Sequence, residues 1–282
     1  MRWYKQYLEF YGKGIDEYPQ DLIEHIKESY KLAQSPVPVV SVVMIAYNEE
    51  KRILASLWSL ANNRSIYPFE IIVVDNNSTD STADVLKMAG IPFYSQPLKG
   101  PGHARNKGLE HAKGKYIVCI DSDTLYPPGY IETMVKALDK RGVSGVYGLW
   151  SYIPDNHFPR HKMFFYEFLR DIHLVLLSFK SPERCVRGMV FAHRTDHARE
   201  IGYKTNIKRG EDGYLAYRLK YYGKLRMILS LNARPYTSTA TIASDGSFVK
   251  ALVNRIQIAL KGASKYFFKT KGEIKDQESN LL

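Results

Sequence analysis

Residues 116–123 read YIVCIDSD, and this stretch decides the fold class of the chain. Its apolar first part predicts a buried strand, which ends at Asp121, Ser122 and Asp123. Two carboxylates separated by one small residue, at the end of a hydrophobic strand, form a set of hard oxygen ligands that is open on one side. Such a site suits Mg²⁺ or Mn²⁺ carrying a diphosphate, because these ions prefer oxygen ligands and keep positions for phosphate.

A second strand with a polar end lies upstream, where residues 71–78 read IIVVDNNS. A third apolar run, residues 39–46, precedes it. Helices are expected at about 50–62, after Ser78 as an N-cap, and after Pro101. This alternation predicts an α/β fold with a Rossmann-like, mostly parallel sheet and helices on both faces. Because ligands bind where the strands of such a sheet end, two acidic strand ends point to a nucleotide with a metal-bound pyrophosphate.

The pattern predicts one catalytic domain, residues 38–240, with a nucleotide half at 38–125 and an acceptor half at 126–240. An N-terminal helical extension, residues 1–37, precedes it. Residues 241–282 are expected to form a basic amphipathic helix and a tail. In the acceptor half, helices are predicted at 163–179 and from residue 211, and short strands at 143–149 and 189–192.

Composition narrows the class of protein. The chain has 282 residues, 45% of them hydrophobic, and a formal net charge of +11, which favours an anionic partner. Cys119 and Cys185 are expected to be buried, reduced thiols, which suits a reducing compartment. Residues 1–5 lack an apolar signal-peptide core, and no segment approaches the ~20 apolar residues needed to span a bilayer. We therefore expect a cytoplasmic protein, with peripheral contact at the inner face of the membrane as one option.

Five motifs in order resemble the inverting nucleotide-sugar glycosyltransferases of family 2, which have the GT-A fold. They lie at residues 42–50 (VVMIAYNEE), 73–80 (VVDNNSTD), 102–108 (GHARNKG), 121–123 (DSD) and, as an acceptor-side half, 188–212. Three departures are visible: Ala46 stands where the family usually has proline, Asn76 and Asn77 replace an acid and a glycine, and the third motif is one residue short.

The resemblance implies a donor site in which Tyr47 packs against the base and Asp75 accepts the imide N–H of uracil. Glu49 would approach the ribose, and Arg105 would approach the pyrophosphate or position Asp121. The implied nucleotide site comprises Ala46, Tyr47, Glu49, Asp75, Asn77, Arg105, Asp121 and Ser122, and the implied metal site comprises Asp123 and Asp121. Without the resemblance, Tyr47 would be a loop aromatic covering the core, Glu49 an exposed helix acid and Arg105 a surface helix arginine.

For the chemistry, the resemblance implies that Asp212 is the general base and that Glu211 binds the acceptor or supports Asp212. The bland alternative is two ordinary acids in the first turn of a helix. Family members often carry a basic residue shortly after a serine that corresponds to Ser238. No basic residue follows Ser238 here, and Arg234 or Lys250 are the candidates to replace it.

The expected function is therefore a metal-dependent inverting transfer, using Mn²⁺ or Mg²⁺, from a UDP-sugar to a hydroxyl of a glycan, lipid-linked or other acceptor. The alternatives are a nucleotidyltransferase, a basic nucleic-acid-binding protein and an inactive nucleotide-binding relative. Nucleic acid is not expected as a partner, because the strand-end acids would repel phosphates unless a metal intervened. The C-terminal helix, with an apolar row from Phe248 to Phe267, would lie on an anionic membrane or dock on the catalytic domain.

Overall fold

The structure is a computed structural model that describes residues 3–154 and 159–239. The helices are α1 (Lys5–Leu8), α2 (Gln20–Ala33), α3 (Ile53–Ala61), α4 (Thr82–Met88), α5 (Pro101–His111), α6 (Tyr130–Leu138), α7 (Arg160–Ser178), α8 (Thr195–Ile201) and α9 (Glu211–Leu219). The strands are β1 (Val40–Ala46), β2 (Phe69–Asp75), β3 (Tyr94–Ser95), β4 (Tyr116–Asp121), β5 (Thr124–Leu125), β6 (Val143–Gly148), β7 (Ser151–Tyr152), β8 (Phe191–Arg194), β9 (Lys224–Ile228) and β10 (Tyr236–Thr237).

The central sheet has the order β3-β2-β1-β4-β8-β6-β9. It is parallel except at β8, which pairs antiparallel with both β4 and β6. Side chains of β2 are buried at every position and those of β1 at all but one, so both faces of the sheet are covered. The prediction of a mixed α/β fold with a mostly parallel sheet is confirmed.

Strand register brings the polar strand ends together. Ala46 pairs with Asp75 across β1 and β2, and Ile45 pairs with Asp121 across β1 and β4. The carboxyl ends of three neighbouring strands therefore lie at one edge of the sheet. Both acids end up on the same side of the molecule, as the sequence pattern predicts.

Helix α5 packs unusually close to this sheet. A Cβ added at Gly108 would lie 2.2 Å from Cγ1 of Val43 on β1, which is closer than two carbon atoms can approach. Glycine at this position therefore allows α5 to approach the strand. The close approach lets Arg105, one turn earlier on α5, reach the backbone of β1 and β4.

A second, smaller sheet lies beside the metal motif. Its order is β5-β10-β7, with β10 antiparallel to β5 and parallel to β7. β5 follows directly on Asp123, so this sheet brings residues 236–238 against the DSD motif from more than a hundred positions away. The sequence patterns did not predict this pairing.

The N-terminal residues pack on the sheet and its helices. Helix α2, predicted from its spacing, contacts α3 and β2, and the Tyr30 hydroxyl donates to the Ile71 carbonyl at 2.9 Å. Tyr7 is buried against Trp58, and the Tyr4 ring lies 4.3 Å from the Tyr236 ring on β10. The division of the chain into an extension and a domain stays a prediction, and residues 241–282 lie outside the described residues.

Some local predictions were wrong. Ser78 does not cap α4, which begins at Thr82; instead its Oγ accepts the backbone N–H of Asn48 at 3.0 Å. Strand β8 begins at Phe191, after a 3₁₀ turn at Gly188–Val190, rather than at Met189. Both cysteines are buried and unpaired, as expected. Within the described ranges, no helix combines the length and apolarity that crossing a membrane requires.

Candidate active site

The most buried charged group of the site is the guanidinium of Arg105, which is 1% exposed. Nη1 donates to the carbonyls of Val43 at 3.1 Å and Ile120 at 2.9 Å. Nη2 donates to Asp121 Oδ1 at 2.7 Å, and Nε lies 3.6 Å from Asp212 Oδ1. Arg105 is therefore not a surface helix residue. It positions Asp121, one of the two roles considered for it, and connects that acid to Asp212.

The electrostatics of this cluster favour a charged arginine. Burial alone lowers the pKa of Arg105, but Asp212 and other neighbouring groups outweigh burial and raise it well above its ordinary value. Burial raises the pKa of Asp121 to about 6, while Arg105 opposes the rise. The Asp121 side chain nevertheless keeps 34% of its surface open, so it can reach a ligand on the solvent side.

Gly188 closes the cluster from the other side. A Cβ at this position would lie 2.3 Å from Arg105 Nη2 and 2.5 Å from Asp212 Oδ2. Any side chain here would push the two charged groups apart. Gly188 begins the motif at 188–212, but the reason for a glycine there is visible only in the tertiary structure.

The Asp123 carboxylate is surrounded by hydroxyl groups. Thr124 Oγ1 donates to Oδ1 at 3.1 Å, Thr237 Oγ1 lies 3.4 Å from the same oxygen, and Ser238 Oγ donates to Oδ2. The Tyr11 hydroxyl donates to the Asp123 carbonyl at 2.7 Å. Ser122, between the two acids, is buried. Tyr11 and Thr237 had not been singled out, because only tertiary structure brings them to the DSD motif.

At the carboxyl end of β2, the side chain of Asp75 has a buried oxygen that accepts no hydrogen bond from the described residues. Asp75 is 6% exposed, and its Oδ2 accepts the Ser78 N–H at 3.4 Å. Among the described residues, its Oδ1 is buried with no hydrogen-bond partner. A buried oxygen left unpaired costs about 1–3 kcal/mol, so this atom is a candidate to accept a hydrogen bond from a ligand.

The loops after β1 and β2 hold each other in place. The Asn48 side chain accepts the Thr79 N–H at 2.8 Å, and Thr82 Oγ1 accepts the Glu49 N–H at 2.8 Å. Asn77 has a left-handed φ of 59° and is exposed. The Asn76 amide donates to Leu98 O at 2.7 Å and accepts from Gly100 N at 2.8 Å, so Asn76 ties this loop to the start of α5.

Tyr47 is not a loop aromatic that covers the core, and Glu49 is not an exposed helix acid. The Tyr47 ring is 47% exposed, so it does not cover the core, and the Lys99 ammonium lies 5.4 Å from the ring centroid. The Glu49 side chain is mostly buried and lies 2.7 Å from Arg52 Nε. Burial and the nearby Asp123 raise the pKa of Glu49 to about 8, against the effect of Arg52. Ala46, at the end of β1, is buried.

A cavity of about 730 Å³ adjoins the metal motif. Its walls come from the N-terminal segment at Leu8, Tyr11 and Gly12, from the loop after β1, and from Ser238 after β10. Two of the lining residues, Tyr11 and Ser238, donate hydrogen bonds to Asp123, so the cavity lies next to the loop that carries this acid. Its lining by the N-terminal segment was not expected from the sequence.

Asp212 and Glu211 lie in the first turn of α9 and are both buried. Asp212 faces Arg105, as described above. Burial, and then the charge of Asp212, raise the pKa of Glu211 to about 8. The two neighbouring acids therefore lie in different surroundings. Because both are buried, they are not ordinary solvated acids of a first helical turn.

Arg234 does not replace the missing basic residue after Ser238. Its Nη2 lies 2.7 Å from Asp171 Oδ2 and 3.6 Å from Glu167 Oε2, and its Nε donates to Ser151 Oγ at 2.8 Å. The guanidinium is thus held by α7 and β7. Lys250, the other candidate, lies outside the described residues.

Comparison with known proteins identifies the family. The profile described as "Glycosyl transferase family 2" matches residues 41–199. The Escherichia coli UDP-Glc:alpha-D-GlcNAc-diphosphoundecaprenol beta-1,3-glucosyltransferase WfgD is 30% identical over 122 residues, which cover 42% of this chain and 48% of that enzyme. The chain thus matches about half the length of this curated relative.

Two solved structures share the fold. The mannosyltransferase PcManGT of Pyrobaculum calidifontis, in complex with GDP-Man and Mn²⁺, has a TM-score of 0.56 and 20% identity, over 89% of this chain and 73% of that one. The glucosyl-3-phosphoglycerate synthase of Mycobacterium tuberculosis, in complex with Mn²⁺, UDP-Glc and phosphoglyceric acid, has a TM-score of 0.52 and 19% identity, over 91% and 88%. The profile matches more than half of this chain, so the chain belongs to glycosyl transferase family 2, and it has the GT-A fold.

Proposed function

We propose that the protein transfers a sugar, with inversion, from a UDP-sugar to a hydroxyl of a glycan or lipid-linked acceptor, assisted by Mn²⁺ or Mg²⁺. The observation that carries this proposal is the buried guanidinium of Arg105. It joins Asp121 of the metal motif to Asp212 of α9 through contacts of 2.7 and 3.6 Å. A donor held at the strand ends and an acceptor activated at Asp212 would therefore meet in one place.

On the donor side, Asp75 and Tyr47 support a uracil base. The unpartnered, buried Oδ1 of Asp75 fits the imide N–H of uracil, and the half-exposed ring of Tyr47 offers a face for stacking. The WfgD relative is named for a UDP-Glc donor and a diphosphoundecaprenol-linked acceptor, which supports a UDP-sugar and a lipid-linked acceptor here.

The residues at the end of β4 fit a hard divalent cation. Asp123 and the partly open Asp121 supply carboxylate oxygens, and the hydroxyls of Thr124, Thr237 and Ser238 surround Asp123. Residues 3–154 and 159–239 contain no cluster of three or more His, Cys, Asp or Glu side chains that would form a complete protein cage. A two-carboxylate site suits Mg²⁺ or Mn²⁺, which keep positions for water and phosphate. When bound, the ion would neutralise the charge that develops on the departing diphosphate.

On the acceptor side, Asp212 removes the proton from the attacking hydroxyl as the bond to the anomeric carbon forms. Arg105 keeps a positive charge 3.6 Å from the Asp212 carboxylate. Glu211, with a pKa raised to about 8, holds its proton at neutral pH and can donate a hydrogen bond to the acceptor. Two acids in different surroundings thus divide the work of base and positioning group.

Membership of the family favours sugar transfer over the nucleotidyltransferase and nucleic-acid-binding alternatives. A measurement of turnover distinguishes an active enzyme from an inactive relative that only binds nucleotides. The direct test is a thermal-shift panel of UDP, GDP and ADP, each with Mn²⁺, with Mg²⁺ and with a chelator. At a hundredfold excess over its dissociation constant, UDP with metal should stabilise the protein by about 2.7 kcal/mol, more than GDP or ADP.

A variant pair sharpens this test. Asp75→Ala should remove the preference for UDP over GDP, because the acceptor for the imide N–H is gone. Asp84→Ala, at an exposed acid that pairs with Lys87 on α4, should keep the preference. Equal stabilisation of the unmodified protein by all three nucleotides would contradict the uracil assignment, and stabilisation that survives the chelator would contradict the metal.

A further inference from the structure

Helix α7 presents a continuous apolar surface to solvent. Every residue between 164 and 179 that is exposed is hydrophobic. These residues recur at helical spacing and form one face, called here the outer face of α7: Phe164, Phe165, Phe168, Leu169, Ile172, Leu176 and Phe179. Contiguous apolar surface of this kind is rare on soluble proteins and marks a site of contact with a protein or a membrane.

Two charged residues of α7, Glu167 and Arg170, point inward instead. Glu167 is buried and accepts from the Tyr152 N–H at 2.8 Å and from Ser151 Oγ at 3.0 Å. Arg170 is also buried, donates to the Trp150 carbonyl and pairs with Asp171. A surface helix normally buries one apolar stripe and exposes its charges. Helix α7 does bury Met163 and Leu174, but it also buries Glu167 and Arg170 and exposes a second set of apolar side chains. The buried polar groups of α7 hydrogen-bond to residues 150–152, and its exposed apolar groups face solvent.

The charge around this surface is positive. Each acid between residues 159 and 184 is paired: Glu167 with Arg160 at 2.9 Å, Asp171 with Arg234 at 2.7 Å, and Glu183 with Lys220 at 2.9 Å. Lys180 and Arg184 are exposed directly after the outer face. An apolar face bordered by cations, with every acid neutralised, is complementary to anionic lipid headgroups over an acyl layer.

We propose that the outer face of α7 lies on an anionic membrane surface. The helix has 19 residues and is about 28 Å long, and it would lie in the interfacial plane with its apolar side chains at the acyl boundary. Lys180 and Arg184 would sit among the headgroups. A single face of apolar side chains suits a helix that lies on a membrane rather than one that crosses it, in keeping with the lack of a membrane-spanning helix among the described residues.

This surface borders the acceptor side of the site. Beyond its C-terminal end, the chain runs through the 3₁₀ turn Pro182–Cys185 to Gly188, which touches Arg105 and Asp212. Near its N-terminal end, β7 pairs with β10, which leads to Ser238 beside Asp123. Both ends of α7 thus connect to residues of the candidate site. The proposal goes beyond the transfer reaction and does not rest on it, since lipid binding requires no donor.

The test is flotation of the full chain with vesicles containing phosphatidylglycerol, compared with vesicles of phosphatidylcholine alone. We expect binding to the anionic vesicles that weakens at high salt. Phe168→Glu, at a side chain 53% exposed, should weaken binding about tenfold or more, because it removes an apolar anchor and adds a negative charge. Lys180→Glu and Arg184→Glu should each weaken it about fivefold.

The matched control is Met88→Glu, at a side chain 59% exposed on α4, which should bind vesicles like the unmodified protein. The thermal shift of Phe168→Glu with UDP and Mn²⁺ should match that of the unmodified protein, which shows that the fold is intact. Absence of vesicle binding by the unmodified protein would overturn the proposal. So would binding that Phe168→Glu leaves unchanged, because the lipid contact would then lie elsewhere in the chain. A dimer that Phe168→Glu dissociates, without vesicle binding, would assign the outer face to a second copy.

Discussion

Gly188 packs against the ion pair of Arg105 and Asp212 closely enough to exclude a side chain. Gly188→Ala should therefore displace Asp212 and lower turnover roughly 100-fold, as misplacement of a reacting group by about 1 Å does. It should also lower the free energy of unfolding by about 1–3 kcal/mol through overpacking. Steady-state rates and denaturant unfolding measure the two effects.

Gly129→Ala is the control for this substitution. A Cβ at Gly129 would meet its nearest neighbour, Asn232, at 3.8 Å, which is ordinary contact. This variant should keep both turnover and stability. Normal activity of Gly188→Ala would mean that the pair of Arg105 and Asp212 is not needed for catalysis.

Glu211 predicts a dependence of stability on pH. Its pKa is raised from 4.5 to about 8 in the folded state, so the folded protein holds this proton where the unfolded chain has released it. The contribution of the neutral carboxyl is fully present below pH 4.5 and is lost as pH rises towards about 8. Glu211→Gln should thus flatten the fall of melting temperature across this window.

The matched variant is Glu110→Gln, at an exposed glutamate on α5, which should leave the pH profile of the unmodified protein in place. Identical profiles for Glu211→Gln and the unmodified protein would show that Glu211 ionises in the folded state as it does in the unfolded chain. The proposal that protonated Glu211 donates a hydrogen bond to the acceptor would then be wrong.

The strand-end acids could be predicted from the residues themselves, whereas the contact of Arg105 with Asp121 was implied only by the family resemblance. Asp75 and Asp121 each follow an unbroken apolar run, so consecutive residues predict both the strand and the position at which it ends. Arg105 is a charged residue on a polar helix, which predicts exposure. Its burial depends on carbonyl groups of Val43 and Ile120, which belong to strands that only tertiary structure brings beneath α5.

At the scale of elements, the N-terminal segment packs against the DSD motif. The Tyr11 hydroxyl holds the carbonyl of Asp123 at 2.7 Å, and Gly12 N donates to Lys51 O at 2.8 Å after β1. Tyr11→Phe removes one hydrogen bond and should cost about 0.5–1.5 kcal/mol of stability. It should also weaken metal-dependent UDP binding, because the Asp123 loop loses a restraint.

Tyr18→Phe is the matched control, since the Tyr18 hydroxyl also donates to a carbonyl, that of Phe10, at 3.1 Å. It should lower stability to a similar degree and leave UDP affinity, measured by calorimetry with Mn²⁺, unchanged. Equal UDP affinities of the two variants would make the N-terminal segment a support of the fold alone.

Element type could be predicted better than element contacts. The spacing of apolar residues at 163–179 predicts a helix, and α7 spans Arg160–Ser178. The same spacing suggests that only apolar side chains of this helix face the core, whereas Glu167 and Arg170 are buried there as well. The reason is local: the strand and loop beneath α7 present Ser151, the Tyr152 N–H and the Trp150 carbonyl, which need polar partners.

On the scale of the whole molecule, the net charge of +11 suits anionic ligands of more than one kind. The positive charge would attract both a nucleoside diphosphate at the strand ends and anionic lipid beside α7. Composition could predict this preference but not its distribution, because the pairing of each acid near α7 depends on tertiary contacts. The order of motifs predicted the fold, since three of them, at 42–50, 73–80 and 121–123, lie at the carboxyl ends of β1, β2 and β4.

In the proposed enzyme, the donor site and the base are separate groups held together by Arg105. The measurement that tests it compares Asp212→Asn with Asp123→Asn in two readouts: calorimetric affinity for UDP with Mn²⁺, and turnover of the donor sugar found by a nucleotide-sugar panel. Asp212→Asn should lower turnover by roughly 10²–10⁴ and keep UDP affinity, because it removes only the proton acceptor. Asp123→Asn should lower both, because it removes a charged oxygen ligand. Near-normal turnover of Asp212→Asn would contradict the account and make Glu211 the first candidate for the base.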